Sequence, residues 1–382
     1  MRIALFSEVY WPMVSGVGVT LQRLTESLAA RGHTVRVYTA SYPLPAGQPD
    51  RPEVHRSPSV PLFLYPDVQW AFPRQRDIED DLARFRPDVV HVATEFAMGL
   101  VGTKAASRLG LPIIASAHTD YEKYARRYGV AFVTQVGWVY LRWLYGHAGR
   151  VLAPSRVYER HLHARGVHHT GLWTRGVDTG LFAPGRRSAG WRARFGVGPD
   201  DLLVTYVGRL AREKDLDRLL AAWAHLGERR RGAQLVLVGQ GPLEEQIRQQ
   251  QLPGVHLAGL RTGVELAEAY ASADLFAFPS PTETFGNSLL EAMASGVPAL
   301  GVRAGGVLEF AEHDTNAWLA PPHDTAALGE ALAGLLANPG LRARLAEGGR
   351  RTAEARGWDA IFDGLLAQYA AASELPPGVA AA

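Results

Sequence analysis

Residues 2–39 read RIALFSEVYWPMVSGVGVTLQRLTESLAARGHTVRVYT, a pattern that indicates a strand, a loop, a helix and a second strand in turn. The apolar run 2–6 predicts a buried strand, and leucines three and four residues apart over residues 20–30 predict a helix. Gly32 ends that helix, and Val35–Thr39 is the next predicted strand. A strand–helix–strand unit of this kind builds a parallel sheet that helices cover on both faces.

The same alternation runs through the rest of the chain. Further strands are predicted at residues 88–92, 112–116, 150–153, 202–207, 234–238, 255–258, 275–278 and 298–301. We therefore predict an α/β fold with two Rossmann-like parallel-sheet domains, residues 1–180 and 181–364, and a helix at about 365–382 that packs back on the first. Because parallel sheets bind ligands beyond the carboxyl ends of their strands, we expect the site in a central cleft that both domains face.

Composition excludes several classes of protein. The 382 residues suffice for two domains, and 47% hydrophobic with 20% charged residues is typical of a globular protein. The absence of cysteine excludes disulfide frameworks, thiolate zinc sites and cysteine nucleophiles. A net charge of +2 gives no argument for nucleic acid as a partner. No apolar run reaches the length of about 18 residues that a membrane span needs, so we expect a cytoplasmic chain.

The charge is unevenly divided between the two halves. Residues 1–180 carry 21 basic and 15 acidic side chains, a net charge of +6, whereas residues 181–382 carry 19 and 23, a net charge of −4. Either the first half meets an anionic partner, or the difference is scatter.

A proline-rich segment, residues 42–76, shows no clear periodicity and is expected to be a long functional loop or flap. Its aromatic residues either pack beneath the loop or contact an apolar partner. They are Phe63, Tyr65, Trp70 and Phe72.

Gly16-Val17-Gly18 follows the first predicted strand, where a dinucleotide-binding fingerprint would lie. The third glycine position is occupied by Leu21, and the second strand has no acidic residue at its end for a ribose, which argues against an NAD enzyme. The two glycines either allow close approach of a phosphate to a helix N-terminus or form a plain tight turn.

Gly208-Arg-Leu-Ala-Arg-Glu-Lys214 follows a predicted strand and opens a helix. Arg209 and Lys214 would provide two cations at the carboxyl end of the strand, an arrangement suited to a diphosphate that gains charge as it departs. The alternative is a solvated helix start. Lys214 is the only lysine of the second half, since the protein has only two others, Lys104 and Lys123.

Glu283-Thr-Phe-Gly-Asn-Ser-Leu-Leu-Glu291 has two carboxylates eight residues apart. We expect a turn at Phe285-Gly286 and a helix capped by Asn287 or Ser288. Glu283 would then lie in the loop and Glu291 one turn inside the helix, so that one carboxylate takes sugar hydroxyls and the other ribose hydroxyls. The N–H groups at the helix start would hold phosphate.

Together with Gly239-Gln-Gly-Pro242 and Gly176-Val-Asp178, these motifs resemble the family 4 glycosyltransferases of the GT-B fold. The resemblance extends from Met1 to about Tyr369. It implies retention of anomeric configuration, a nucleotide-sugar donor, and neither a catalytic metal nor another cofactor.

The resemblance also implies a role for individual residues. Arg209 and Lys214 would bind the donor diphosphate, and Gly208, which precedes Arg209, would also contact the donor. Glu283 would bind the donor sugar and Glu291 the ribose. His118 would lie near the anomeric centre. The remaining donor contacts implied are Gly16, Phe285, Gly286, Asn287 and Ser288.

Two positions qualify this comparison. His118 could also be a structural histidine, but it follows a predicted strand and precedes Thr119 and Asp120 in a loop expected at the cleft. Asp215 stands where the family commonly has glycine. A carboxylate there would repel a diphosphate, so we expect its side chain to turn outward.

The acceptor side is expected directly after His118, at Asp120, Tyr121, Tyr124 and Arg126. Residues 130–144 are then rich in apolar and aromatic side chains at helical spacing, with arginines beside them. Such a stretch either packs on the core or lies on an anionic membrane surface.

We therefore predict a retaining glycosyltransferase that moves a hexose, either mannose from GDP-mannose or a glucose-type sugar from a UDP-sugar, to a hydroxyl of a lipid or glycan. Its similarity to mannosyltransferases and sulfoquinovosyl-type enzymes implies that the stretch after His118 lies near the acceptor. We expect a cytoplasmic enzyme, with a peripheral place on the inner face of the cell membrane as the alternative to a free one. A sugar-nucleotide epimerase and a non-catalytic sugar-nucleotide-binding protein are the alternatives.

Overall fold

A computed structural model describes residues 1–13, 15–44, 47, 50–51, 53–62, 65–120, 122 and 134–374. The described chain divides into two units by its internal contacts. The first comprises Met1–Thr119 with residues 134–174 and 359–374, and the second comprises Arg175–Trp358 with residues 120 and 122.

The first unit is built on a parallel sheet with the spatial order β3-β2-β1-β6-β7-β8-β9. Its strands are β1 (Arg2–Ser7), β2 (Thr34–Ala40), β3 (Val54–Ser57), β6 (Val89–Val92), β7 (Ile113–Ser116), β8 (Arg150–Ala153) and β9 (Thr170–Leu172). Ile3 on β1 lies opposite both Val35 and Val89, in parallel register. These three side chains are buried, as expected of a strand that has neighbours on both edges and helices on both faces.

Helices pack on this sheet through faces that the sequence defines. They are α1 (Gly16–Ala30), α2 (Gln75–Phe85), α3 (Ala97–Arg108), α4 (Thr134–Tyr145), α5 (Arg156–Ala164) and α13 (Trp358–Ser373). The predicted leucine stripe of α1 is buried at Leu21, Leu24 and Leu28. Gly102 of α3 lets that helix approach β1, because a Cβ at this position would lie 2.6 Å from the Phe6 ring.

The proline-rich segment is more ordered than a loop. It contains β3, which adds an edge strand to the sheet, and an antiparallel hairpin of β4 (Ser59–Leu62) and β5 (Tyr65–Ala71). The expectation of a long loop was therefore wrong for the part of this segment that forms strands. Trp70 and Phe72 of this segment are exposed, whereas Phe63 lies outside the described residues.

The second unit repeats the architecture with a parallel sheet of order β12-β11-β10-β13-β14-β15. Its strands are β10 (Leu203–Val207), β11 (Gln234–Val238), β12 (Val255–Gly259), β13 (Leu275–Ala277), β14 (Ala299–Val302) and β15 (Trp318–Ala320). Its α-helices are α6 (Ala189–Ala193), α7 (Leu216–Leu226), α8 (Glu244–Gln250), α9 (Gly263–Ala271), α10 (Asn287–Ala294), α11 (Thr325–Ala337) and α12 (Pro339–Glu354). The predicted α/β class with two parallel sheets is confirmed.

Helix α13 belongs almost entirely to the first unit, although it follows the second unit in the chain. Tyr369 is fully buried there and hydrogen-bonds His91 of β6. Arg31, at the end of α1, pairs with Asp359 and Asp363 on α13. Among the described residues, no helix is both long and apolar enough to cross a membrane.

Candidate active site

The loops that follow β10 and β11 lie in direct contact, and glycines make this possible. The Leu210 N–H donates to the Gln240 carbonyl at 2.9 Å. A Cβ at Gly239 would lie 2.0 Å from the Gly208 carbonyl oxygen, and one at Gly241 would lie 2.4 Å from that of Leu210. These glycines are therefore structural, and they hold the backbone of the 208–210 loop at the carboxyl edge of the sheet.

Arg209 lies in this loop, and a residue of strand β10 fixes its backbone. The buried Tyr206 hydroxyl donates to the Arg209 carbonyl at 2.9 Å. A short 3-10 helix, Arg212–Lys214, follows and delivers the second predicted cation.

Lys214 and Glu283 are brought together, although they are far apart in the chain. The Lys214 Nζ donates to Glu283 Oε1 at 2.6 Å, and the Ser280 hydroxyl donates to the same oxygen at 2.6 Å. The side chains of Lys214 and Glu283 are 17% and 15% exposed, so the ion pair is largely desolvated yet open on one side. The structure thus joins one of the two predicted cations to one of the two predicted carboxylates.

Two glycines after β14 support the loop that carries Glu283. The Gly306 N–H donates to the Glu283 carbonyl at 2.7 Å. A Cβ at Gly305 would lie 2.7 Å from that carbonyl oxygen, and one at Gly306 would lie 2.0 Å from the Thr284 carbonyl oxygen. Any larger residue would push the loop, and with it the Glu283 side chain, away from Lys214.

Helix α10 begins differently from the prediction. Gly286 is the N-cap residue, with φ +104°, and no side chain caps the helix, so the expectation that Asn287 or Ser288 would do so was wrong. A left-handed φ at the cap favours glycine, since a side chain there is strained. The N–H groups of the first turn therefore lack a capping side chain, and Asn287 Oδ1 is buried without a hydrogen-bond partner in the described structure.

Glu291 lies in the second turn of α10, as predicted, and accepts a hydrogen bond from a phenol. The Tyr270 hydroxyl donates to Glu291 Oε2 at 2.8 Å, and the Ser288 side chain hydrogen-bonds the same hydroxyl. Complete burial, followed by the nearby Glu291 charge, raises the pKa of Tyr270 well above its usual range. The phenol therefore remains a proton donor and orients Glu291.

Asp215 adopts the left-handed conformation, with φ +49°, which explains why glycine suits this position. Its carboxylate is buried and not turned toward solvent, so the expectation of an outward side chain was wrong. Arg218 Nε lies 3.3 Å from Asp215 Oδ2, and His323 Nδ1 lies 2.9 Å from the same oxygen. The Arg218 cation compensates the negative charge of Asp215. From the sequence alone, this charge was expected to repel a diphosphate.

Gly16 and His118 belong to the first unit. Gly16 is the first residue of α1, which Ser15 caps by accepting from the Gly18 N–H at 3.0 Å. A Cβ at Gly18 would lie 2.9 Å from the Met13 carbonyl oxygen, so this second glycine has a packing role, whereas Gly16 is exposed.

His118 follows β7 and is buried, with its Nε2 2.8 Å from the Ser116 hydroxyl. Asp120 is also buried. The other residues predicted on the acceptor side, Tyr121, Tyr124 and Arg126, lie outside the described residues.

The sequence reasoning missed Ser280, Tyr270 and the glycine pair, which together orient both carboxylates. The Gly305-Gly306 pair, which begins four residues after the end of a predicted strand, was the one signal that could have indicated close backbone packing. Tyr270 carries no such signal, because its partner Glu291 is 21 residues away in the chain. Ser280 lies only three residues before Glu283, yet a lone serine at that spacing does not indicate the contact.

A cation, two oriented carboxylates and a helix start without a capping side chain, at the edge of a parallel sheet, suit a nucleoside diphosphate bound to a sugar. With a second parallel-sheet unit in the same chain, these features define a glycosyltransferase of the GT-B class.

Comparison with known proteins gives the family. Residues 14–181 match the model of Glycosyltransferase Family 4, and residues 189–352 match that of Glycosyl transferases group 1. The chain is 35% identical over 377 residues to a GDP-mannose-dependent alpha-mannosyltransferase of Mycobacterium tuberculosis (strain CDC 1551 / Oshkosh), covering 97% of each chain. It is 29% identical to an alpha-monoglucosyldiacylglycerol synthase of Streptococcus pneumoniae (strain ATCC BAA-255 / R6), covering 78% of this chain and 70% of that one.

Among solved structures, sucrose-phosphate synthase from Thermosynechococcus elongatus shares the fold, with a TM-score of 0.79 at 24% identity over 97% of this chain and 98% of that one. The protein belongs to Glycosyltransferase Family 4, and the predicted enzyme class, a glycosyltransferase, is confirmed.

Proposed function

We propose that this protein transfers mannose from GDP-mannose, with retention of configuration, to a hydroxyl of a lipid or glycan. The observation that carries the proposal is the Lys214–Glu283 pair, which sets a cation beside a carboxylate that can accept sugar hydroxyls. The mannosyltransferase relative, which matches end to end, supports mannose as the sugar and GDP as the leaving group.

In the proposed reaction, Arg209, Lys214 and the first N–H groups of α10 stabilise the charge that builds on the departing diphosphate. Glu283 positions the sugar and Glu291 the ribose, whereas His118 lies near the anomeric carbon. The acceptor oxygen attacks on the face that the diphosphate leaves, and a phosphate oxygen takes its proton. We propose that no metal ion or other cofactor takes part, so that transfer persists in EDTA.

The test is a donor screen with the purified full chain. GDP-mannose and UDP-glucose are each incubated with and without a lipid extract, and nucleoside diphosphate release and labelled product are measured. We expect GDP release that depends on acceptor. Epimerised or free sugar without acceptor would favour the epimerase, and donor binding without turnover would favour a binding protein; either would refute the proposal.

The acceptor is proposed to lie at an anionic membrane surface. Helix α4 exposes Val136 (73%), Val139 (60%) and Trp143 (40%), three side chains that share one face of the helix. Arg142 lies beside them on the same helix. Apolar and aromatic side chains with neighbouring arginines suit the headgroup region, and the relative that makes a glucosyldiacylglycerol supports a lipid acceptor.

Vesicle flotation tests this surface. A Val136→Asp/Val139→Asp variant should lose binding to anionic vesicles at low salt, whereas Val264→Asp, at a 49% exposed valine of the second unit, should keep it. Rising salt should weaken wild-type binding, because screening shortens the reach of the charges. If wild type does not float with anionic vesicles at low salt, the membrane proposal is wrong.

A further inference from the structure

A buried chain of hydrogen bonds runs through the first unit and ends at His118. The Tyr369 hydroxyl of α13 lies 2.7 Å from His91 Nδ1. His91 Nε2 lies 2.8 Å from the Ser116 hydroxyl, which lies 2.8 Å from His118 Nε2. None of these four side chains is more than 6% exposed.

Trp173 encloses this chain on one side. Its ring contacts those of His91 and His118 edge-on, with centroids 5.4 Å apart in both pairs. Since water is excluded, the direction of each hydrogen bond follows from the need to satisfy every buried donor.

Tyr369 sets that direction. Among the described residues, the only hydrogen-bond partner of its hydroxyl is His91, and burial raises the pKa of Tyr369 so that the phenol keeps its proton. The phenol must therefore donate to His91 Nδ1. A neutral imidazole that accepts at one nitrogen carries its proton on the other, so His91 Nε2 donates to Ser116.

The same reasoning continues to the end of the chain. The Ser116 hydroxyl, which accepts from His91, donates its own proton to His118 Nε2. The proton of neutral His118 is then on Nδ1. If every bond ran in the opposite direction, the Tyr369 proton would be buried without an acceptor among the described residues.

We propose that Tyr369, His91 and Ser116 are positioning residues that hold His118 as its neutral Nδ1–H tautomer. The expected effect on turnover rests on the proposed function, whereas the tautomer does not. In this form His118 is a hydrogen-bond donor and not a base, and the C-terminal helix contributes to the site in the first unit.

Nitrogen NMR of protein labelled in the histidine rings tests the tautomer directly. At about pH 8, above the ordinary histidine pKa of about 6.5, wild-type His118 should carry its proton on Nδ1. The signal is assigned by its loss in His118→Gln. Ser116→Ala and Tyr369→Phe should shift it toward a mixture of tautomers. A wild-type His118 protonated on Nε2 would overturn the proposal, whether or not the protein transfers mannose.

Kinetics separate positioning from stability. Tyr10→Phe is the matched control, because Tyr10 is also a fully buried phenol of this unit and hydrogen-bonds one hydroxyl, that of Thr25. Tyr369→Phe should lower kcat by about tenfold, the effect of one misdirected hydrogen bond, while Tyr10→Phe leaves it unchanged. Equal losses in the two variants, or an unchanged His118 tautomer in Tyr369→Phe, would show that Tyr369 is only structural.

Discussion

Replacing Glu283 by glutamine removes the charge of this side chain and keeps its shape, so the variant isolates the ion pair with Lys214. At the observed 2.6 Å, two unit charges attract by about 6 kcal/mol at an effective dielectric constant near 20. The cost of removing both charges from water offsets much of this attraction. In the Glu283→Gln variant Lys214 stays buried, so its desolvation cost remains while the attraction is lost. Breaking a buried pair from one side costs about 3–5 kcal/mol.

The pair remains open on one side, so we expect Glu283→Gln to lose about 2–3 kcal/mol of unfolding free energy in the second unit. For a unit of this size, that loss corresponds to a fall in Tm of about 5–10 °C. Turnover should fall by about tenfold to hundredfold in the folded variant, because a hydrogen bond to a charged group is lost from the sugar.

A double-mutant cycle with Lys214→Met provides the decisive measurement. Urea unfolding of wild type, both single variants and the double variant should give a coupling energy of about 1–3 kcal/mol. Additive losses would show that the two side chains do not interact. A Glu283→Gln variant with wild-type stability and turnover would show that the Glu283 charge supports neither. Either result would refute this reasoning.

Alanine at Arg209 or Lys214 should weaken GDP binding by about tenfold or more and leave guanosine binding unchanged, because each removes a cation from the diphosphate. Titration calorimetry with both ligands measures this. Equal losses of GDP and guanosine binding would show that Arg209 and Lys214 do not bind the diphosphate. Gly306→Ala, whose Cβ would lie 2.0 Å from the Thr284 carbonyl oxygen, should lower Tm and weaken donor binding below its own Tm; a variant that melts and binds like wild type would contradict the packing argument. Burial raises the pKa of Glu8, so the folded protein holds that proton more tightly than the unfolded chain, and stability falls as pH rises from 4.5 through the raised value. Urea unfolding at several pH values should show wild type losing stability relative to Glu8→Gln over that range, and parallel curves would contradict it.

The central strands of both sheets could be predicted because they are short, mainly apolar runs. β11 begins and ends at the predicted residues, and β1 is one residue longer than predicted. Of the four edge strands, β12 was predicted, but β3, β9 and β15 were not. β9 has three half-buried residues, and β3 lies in a proline-rich stretch where neighbouring β2 supplies the order. Their structure comes from pairing with a distant strand, which leaves little trace in the local pattern.

The sequence predicted which residues belong to the candidate site, but not which of them contact one another. The resemblance indicated Glu283 and Lys214, yet nothing in the sequence placed them 2.6 Å apart. The cap of α10 was predicted wrongly because polar residues favour caps in general, whereas the backbone here turns through a left-handed conformation at Gly286. Asp215 was interpreted by its charge, although its conformation and its partner Arg218 decide its role.

The two carboxylates of the motif, eight residues apart, end in different electrostatic surroundings. Glu283 shares its charge with a cation and a hydroxyl, so the pair is close to neutral. Glu291 accepts from the phenol of Tyr270, a neutral donor, at 2.8 Å. A ribose, which offers hydroxyl donors, suits a carboxylate that a phenol orients, whereas a diphosphate suits the cation of the Lys214–Glu283 pair. The surroundings of the two residues, more than their spacing, therefore divide the donor molecule between them, with Glu283 suited to the end near the phosphates and Glu291 to the nucleoside.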